Sequence, residues 1–390
     1  MRMFFIGLLG FAACGGGTAG LSDGATHPDA APARDAAPDG PPDAPACPAI
    51  APLDPAHLSE LTVAGDAPAL GIFDPSIVYP ADATGGAMAY SAVPDQRTIR
   101  THIAVSPDHG ATWTFVAEAN APEAATEPSP ACGGTTCAGN LISEVSSLIF
   151  DADDPDPAKR WKLFAHRYLV GPNIELHYDI GTIALQTAAQ PQGPWTAPQK
   201  LIGWTSSSSY SSTDVVANVS AMGGTATDCI ALTEPGAIWL PGAIDLAVGC
   251  VYLDNNQPKI RIELLRSTTH GASWTSVSTL LTAADATCGG AQPGLDGADL
   301  FTVNGTEYVV ATPSDANGYR GCLVFPIANV AAGTIERDAH GHAVVDRAFS
   351  AGQFNGACTF AEGAGGYALD IGFLTASVPF HIYRAAITSP

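Results

Sequence analysis

Basic residues are scarce in this sequence. Lys and Arg number 16 in 390 residues against 38 Asp and Glu, for a formal net charge of −22. A nucleic-acid surface needs a basic patch to neutralise phosphates, so no nucleic-acid partner is expected. Long apolar runs are missing too. The longest candidate, 229–253, is broken by Glu234, Pro235, Pro241 and Asp245, so no stretch has the length of a membrane-spanning helix. No long helical period appears, and no close Cys pair stands near a His pair at zinc spacing. Charged residues are only 14% of the chain and hydrophobic ones 46%, which excludes a wholly disordered protein. The length suffices for one large core or two medium ones.

The N-terminus reads as an address. Met1-Arg2-Met3 is followed by Phe4-Phe5-Ile6-Gly7-Leu8-Leu9-Gly10 and then Phe11-Ala12-Ala13-Cys14. One early positive charge, a short apolar stretch and small residues describe a secretory signal over 1–14. Ending on Cys, it resembles a bacterial lipoprotein signal, although Phe11 stands where Leu is usual. The resemblance implies lipidation of Cys14. Gly15 rather than Asp after the Cys implies an outer-membrane destination. Residues 15–50 are mostly Ala, Pro, Gly and Asp, with Asp23, Asp29, Asp35, Asp39 and Asp43 spaced along the run. Proline stiffens such a chain and like charges extend it, so a disordered tether is expected there. One lipid chain anchors a body to a membrane without embedding it.

Nine Cys are present, and setting Cys14 aside leaves eight, an even number that suits an oxidising compartment. Cys132 with Cys137 brackets a short loop, and Cys229 and Cys250 lie on neighbouring apolar runs. Cys288 with Cys322, and Cys47 with Cys358, complete the expected set, although eight Cys allow many connectivities.

From residue 58 onward, short runs rich in Val, Ile, Tyr, Phe and Thr alternate with Gly, Pro, Asn and Asp, an all-β signature. The runs recur in a larger unit. Asp74-Pro75-Ser76-Ile77-Val78-Tyr79 aligns with Val145-Ser146-Ser147-Leu148-Ile149-Phe150 and with Glu234-Pro235-Gly236-Ala237-Ile238-Trp239. Two further copies start at Asp296 and Asn355. Second and third strands are expected at 87–91 and 99–105, 161–169 and 180–187, 244–252 and 260–266, 307–311 and 322–327, and 367–373 and 381–387. A repeated meander of this kind is a propeller blade. The last unit is short, and the segment 58–64 is expected to supply its missing outer strand and close the ring. The expectation is an all-β, five-bladed β-propeller over 51–390. A two-sheet sandwich would leave the five similar starts unexplained.

Three turns sharpen the reading. Ser106-Pro107-Asp108-His109-Gly110-Ala111-Thr112-Trp113 resembles the Asp-box, S-x-D-x-G-x-T-W, of sialidase-like propellers. Ser267-Thr268-Thr269-His270-Gly271-Ala272-Ser273-Trp274 is a weaker copy with Thr269 in place of the Asp. Gln192-Gly193-Pro194-Trp195 resembles the Gly-Pro-Trp turn of five-bladed glycosidases. These are marks of fold. With the Phe73-Asp74-Pro75-Ser76-Ile77 opening, the chain resembles the arabinanase and β-xylosidase type of glycoside hydrolase, including family 43, over about 58–390.

That resemblance implies two carboxyl groups at the channel mouth: an Asp opening the first blade as general base and a Glu opening the third as general acid, with an inverting outcome. Asp74 and Glu234 match them. An Asp in the second blade should tune the acid, but Val145 holds the aligned place and Glu144 lies one residue off, on the opposite face of a regular strand, so either a bulge re-aims Glu144 or the tuning group is absent. Asp296 and Asn355 open the remaining blades and, with His166 and Arg167, are candidates for binding substrate. Both Asp74 and Glu234 precede a Pro, and so also read as turn residues bonding the backbone. Trp204, Tyr210 and the serines 206–209 form a loop able to stack on sugar rings. Asp151-Ala152-Asp153-Asp154-Pro155-Asp156 offers oxygen ligands to calcium or forms a solvated acidic hairpin; the second reading is preferred, and no cofactor is expected.

The sequence therefore supports an exported, lipid-anchored, monomeric glycoside hydrolase acting on carbohydrate. The alternatives are a non-catalytic surface propeller that binds a glycan or protein, and a sialidase-like protein. The last needs several Arg around the sugar carboxylate, and Arg100, Arg167, Arg266 and Arg384 are its candidates. Its Phe-Arg-Ile-Pro signature is absent.

Overall fold

The computed structural model describes residues 47–52, 58–80, 85–128, 132, 136–205, 214–289, 294–315, 318–350, 356–361, 368–372 and 379–386. Cys14, the signal, most of the tether, Asn355, the serines 206–209 and Tyr210 lie outside them. Five separate sheets make up the described residues. Blade 1 runs from the inner strand Ile72–Val78 through Gly86–Asp95 and Thr98–Ser106 to Trp113–Asn120. Blade 2 uses Thr136–Phe150, Trp161–Val170, Leu176–Ala188 and Gln199–Gly203. Blade 3 uses Ala231–Leu240, Ala243–Asp254, Gln257–Ser267 and Thr275–Leu281. Blade 4 uses Gly294–Val303, Thr306–Asp315, Cys322–Asn329 and Arg347–Ser350. Blade 5 pairs Ala368–Gly372 with Ile382–Ala386, and Cys358 and Phe360 pack in an apolar cluster with Phe301 and Phe349 of blade 4. The fold is a five-bladed β-propeller.

Local chemistry sets the hairpins. Asn255-Asn256 and Asn304-Gly305 each supply two consecutive positive φ angles, the requirement of a two-residue turn matching the strand twist. Burial falls off with distance from the axis. Every residue of Trp161–Val170 is buried, whereas Trp113–Asn120 at the rim is partly exposed. A sheet covered on both faces reads as a continuous apolar run, and only the outer strand is free to alternate.

The core is correspondingly divided into five seams. Leu148, Trp161 and Leu163 meet Ala87, Ala89 and Ile103 between blades 1 and 2. Phe164, Ile183 and Leu185 meet Leu246 and Val248 between blades 2 and 3. Ala247, Ile262 and Leu264 meet Leu300, Val309 and Ala311 between blades 3 and 4. Phe301 and Phe349 pack on Cys358 and Phe360 between blades 4 and 5, and Ile382 and Leu61 pack on Ile77 and Met88 between blades 5 and 1. The three marked tryptophans sit in these seams: Trp113 in the 5–1 seam, Trp195 against the 1–2 seam and Trp274 in the 2–3 seam.

Closure joins the chain ends as expected. Ser59–Leu61 pairs antiparallel with Ile382–Ala386. The Ile72 amide donates to the Phe380 carbonyl at 3.1 Å, and the Phe380 amide donates to Leu70 at 2.8 Å.

The turns bear out the physics of their residues. The Asp108 carboxylate accepts from the Thr112 amide and hydroxyl, both at 2.8 Å, and the Gly110 amide donates to Ser106 Oγ at 2.6 Å. In the second copy Thr269 Oγ1 replaces the carboxylate and accepts from the Ser273 amide at 2.9 Å.

Four disulfides are present. Cys132–Cys137 and Cys229–Cys250 form as expected. The other expected pairings, Cys288–Cys322 and Cys47–Cys358, are replaced by Cys47–Cys288 and Cys322–Cys358. Topology explains the exchange. Ile50–Pro52 adds parallel to Arg347–Ser350 at the outer edge of blade 4, which carries Cys47 to the entry of that blade. Cys322 and Cys358 face each other across the 4–5 seam. The segment from residue 47 is thus held to blade 4 by strand pairing and by a covalent bond.

Candidate active site

One backbone irregularity, repeated around the ring, builds the site. In blades 1 to 4 two inner-strand residues oppose a single residue of the second strand, which is a β-bulge. Its first residue has a left-handed φ: 49° at Asp74, 47° at Val145, 45° at Glu234 and 49° at Gly297. Ala357, with φ 54°, holds the same conformation in blade 5. The aligned set is therefore Asp74, Val145, Glu234, Gly297 and Ala357. This corrects two expected starts: Asp296 lies one residue before the bulge, as Glu144 does, and the position of Asn355 is taken by Ala357.

The bulge also fastens the blades. Two residues past its start, Ser76 Oγ accepts from the Leu148 amide at 2.9 Å, and Ser147 Oγ accepts from the Ala237 amide at 2.8 Å. Asp299 accepts from the Thr359 hydroxyl at 2.6 Å. Blade 3 has Gly236 there, because a Cβ would stand 2.1 Å from the Ala298 carbonyl oxygen of blade 4.

A regular strand would have turned Glu144 away from Asp74, but the bulge at Val145 re-aims it. Asp74, Glu144, Glu234 and Asp296 are all buried, and they come from four different blades. Tyr168 and Tyr319, both also buried, bond two of them. The Tyr319 hydroxyl donates to Glu234 Oε1 at 2.7 Å, and the Tyr168 hydroxyl donates to Glu144. His166 packs against Tyr168 and Tyr178, with ring centroids 4.8 and 5.6 Å away, and the two tyrosine rings are themselves 4.8 Å apart. Asp74 Oδ2 and His166 Nε2 have no hydrogen-bond partner among the described residues.

Arg167 points elsewhere. It donates to Glu123 at 2.5 Å and to Ser143 at 3.3 Å. The other arginines considered for a sugar carboxylate are engaged as well: Arg100 with Glu118, Arg266 with Asp245 and Arg384 with the Gly110 carbonyl. Trp204 is buried among Ile202, Val219 and their neighbours in the 2–3 seam, so its ring is not presented to a sugar. The acidic run is not a fully solvated hairpin. Asp151 and Asp154 are buried beside the buried Lys162 ammonium, which lies 2.5 Å from Asp154 and 3.5 Å from Asp151.

Burial penalises the charge of each of these four carboxyls. Burial pushes Asp74 well above the ordinary range, and the charges of Glu144 and Glu234 push it further. Burial lifts Glu144 to about 7, against the Tyr168 hydrogen bond and with the Glu234 charge. Burial raises Glu234, opposed by the Tyr319 hydroxyl, and Asp296 is raised by burial and then by Glu234. His166 is lowered by burial to about 3, so the ring is neutral at neutral pH. Such a site keeps protons rather than carry four bare charges.

Glu144 gives a stability test. Its folded pKa lies above its ordinary 4.5, so the folded chain holds a proton that the unfolded chain has released. That contribution is complete below about 4.5 and is lost as pH rises through about 7. Glu144→Gln is expected to be more stable than the parent at pH 8 by up to about 3 kcal/mol, with the advantage gone near pH 4. Denaturant melts at the two pH values check it; an equal difference at both would contradict it.

The tyrosines were not singled out by sequence. Tyr319 lies 85 residues from Glu234, on a two-residue strand pairing the end of blade 4's second strand. The available signal was Tyr168, two residues from His166 on a strand opposite Glu144.

The fold is similar to that of several solved glycoside hydrolases. One is a family 32 β-fructofuranosidase of Bombyx mori, at 15% identity and TM-score 0.48, covering 81% of this chain and 60% of that one. Another is a family 117 glycoside hydrolase produced by the marine bacterium Zobellia galactanivorans, at 14% identity and TM-score 0.49, covering 82% and 84%. A thermostable family 43 glycoside hydrolase is 9% identical with TM-score 0.49, covering 83% and 90%. The chain thus spans about three fifths of the fructofuranosidase. No family model matches the chain, and no curated protein matches it by sequence.

Proposed function

We propose that this protein is an exported glycoside hydrolase that cleaves glycans by an inverting route, with Asp74 as general base, Glu234 as general acid and Glu144 as the charge that keeps the acid protonated. The observation that carries the reading is the meeting of buried carboxyls from separate blades, with Asp74 Oδ2 lacking a hydrogen-bond partner among the described residues. A turn aspartate bonded to backbone would instead have that oxygen satisfied. Inverting hydrolysis requires one ionised and one protonated carboxyl on opposite faces of a sugar. Crowded carboxyls supply the difference, because each charge opposes the next. Neutral His166 and the three tyrosines offer the uncharged hydrogen-bonding and ring surfaces that sugars use. Cys14 carries the lipid, residues after it form the tether, and the propeller faces outward from the bacterial outer membrane.

The test is a screen of the purified protein against plant and bacterial polysaccharides, with the anomeric configuration of the first product read by proton NMR. The expected result is release of sugar with inverted configuration. Retained configuration would remove the proposed roles, and glycan binding without hydrolysis would assign the chain as a non-catalytic binder. Labelled fatty acid should enter the parent and not Cys14→Ala; equal labelling would remove the anchor.

A further inference from the structure

The mouth contains one more carboxyl than an acid, a base and a tuning group require. Asp296 stands immediately before the bulge of blade 4, and Glu234 stands on the bulge of blade 3. Glu234 Oε2 lies beside Gly297, the residue that follows Asp296 in blade 4. A Cβ built on Gly297 would lie 3.2 Å from Glu234 Oε2, and one on Gly249 would lie 3.6 Å from Asp296 Oδ1. The bulge position of blade 4 is therefore glycine at a place where a side chain would press on the acid. Written as two carboxylates, Glu234 Oε2 and Asp296 Oδ1 are both buried and have no hydrogen-bond partner among the described residues. A single proton between them satisfies both oxygens, whereas leaving two such acceptors bare costs the full desolvation of each.

We propose that Asp296 is a positioning residue for the proton of Glu234: the two carboxyls hold one proton between them at neutral pH, and Glu234 delivers it to the leaving oxygen. The inference rests on the reading of Glu234 as general acid. The groups that face the pair are the Tyr319 hydroxyl on Glu234 Oε1, the Gly297 amide, the Tyr178 phenol, and the carboxyls of Asp74 and Glu144. His166, stacked on Tyr178, is neutral.

The step balances. The glycosidic C–O bond breaks as its oxygen takes the proton from Glu234. Water attacks the anomeric carbon from the opposite face and gives its proton to Asp74. The pair is then doubly ionised, Asp74 is neutral, and one proton passes back through solvent before the next turnover.

Two readouts test it. Asp296→Asn removes the second charge and keeps the shape, so Glu234 ionises earlier. The alkaline limb of kcat should move down by about one pH unit or more, with kcat at pH 8 lowered about tenfold while kcat at pH 5 changes little. Tyr319→Phe removes a donor to ionised Glu234 and should move the same limb upward. A purely structural role would lower kcat equally at every pH, and an unmoved limb in Asp296→Asn overturns the proposal. The second readout needs no substrate. Infrared titration of the protonated carboxyl band should show a proton released at lower pH in Asp296→Asn than in the parent. An identical titration also overturns the proposal, even if no glycan is ever found to be cleaved.

Discussion

Glu234→Gln is expected to lower kcat on a natural glycosidic bond by about 10²–10⁴-fold, the range that general acid catalysis supplies. The loss should nearly vanish on a substrate whose leaving group needs no proton, such as a glycosyl fluoride. Asp74→Asn should lose a comparable factor on both substrates, because the attacking water still needs a base. Amide replacement keeps the size of each side chain, and Tyr319 can still donate to the amide oxygen of the Glu234 variant. Binding of unhydrolysed glycan should therefore persist. The comparison is decisive because the two variants differ in pattern and not merely in extent. Equal losses of both variants on both substrates would point to damaged structure rather than to separate acid and base roles.

The largest effect on stability is expected at Lys162. Its ammonium is buried, lies 2.5 Å from Asp154, and donates to the Lys159 carbonyl at 2.9 Å. Burial raises Asp154, but the Lys162 ammonium and the Asp156 amide outweigh it and hold that carboxyl below its ordinary range. Asp151, also buried, accepts from His270 at 3.0 Å, so the cluster ties blade 2 to the marked turn of blade 3. Lys162→Met leaves two buried carboxylates without their cation, which costs about 3–5 kcal/mol in comparable buried pairs. The loss should shrink on acidification, since protonating Asp154 removes uncompensated charge. Chemical denaturation at pH 7 and pH 4 measures both effects. A loss below about 1 kcal/mol at pH 7 would mean that the cluster is solvated, as exposed pairs are.

The strands and the blade count were legible because apolar runs, Gly- and Asn-rich turns and the repeated openings are local properties. The strand Gly86–Asp95 covers the expected 87–91, and the strand Gln257–Ser267 covers 260–266. Ring closure through 58–64 followed from counting strands in the last unit. The site was half legible. Asp74 and Glu234 announce themselves by standing at the same place in two units. The side on which Glu144 lies stayed open, because a bulge adds one residue to one strand without any obligatory residue type: Asp, Val, Glu and Gly occupy its first position in blades 1 to 4. The same freedom shifted blade 4 by one residue, since Asp296 offered an acidic match and Gly297 did not. Tyr319 and the exchanged disulfides are matters of distance along the chain. Neither a contact 85 residues apart nor a bond spanning 241 residues leaves a local trace.

The most direct measurement is a crystal structure of Glu234→Gln with an oligosaccharide substrate bound. The predicted result is a sugar ring at the channel mouth, its scissile oxygen within hydrogen-bond reach of side chain 234. A water should sit between the anomeric carbon and Asp74 on the opposite face. An oligosaccharide bound away from both side chains, or one with the two carboxyl positions on the same face of the ring, would contradict the assignment.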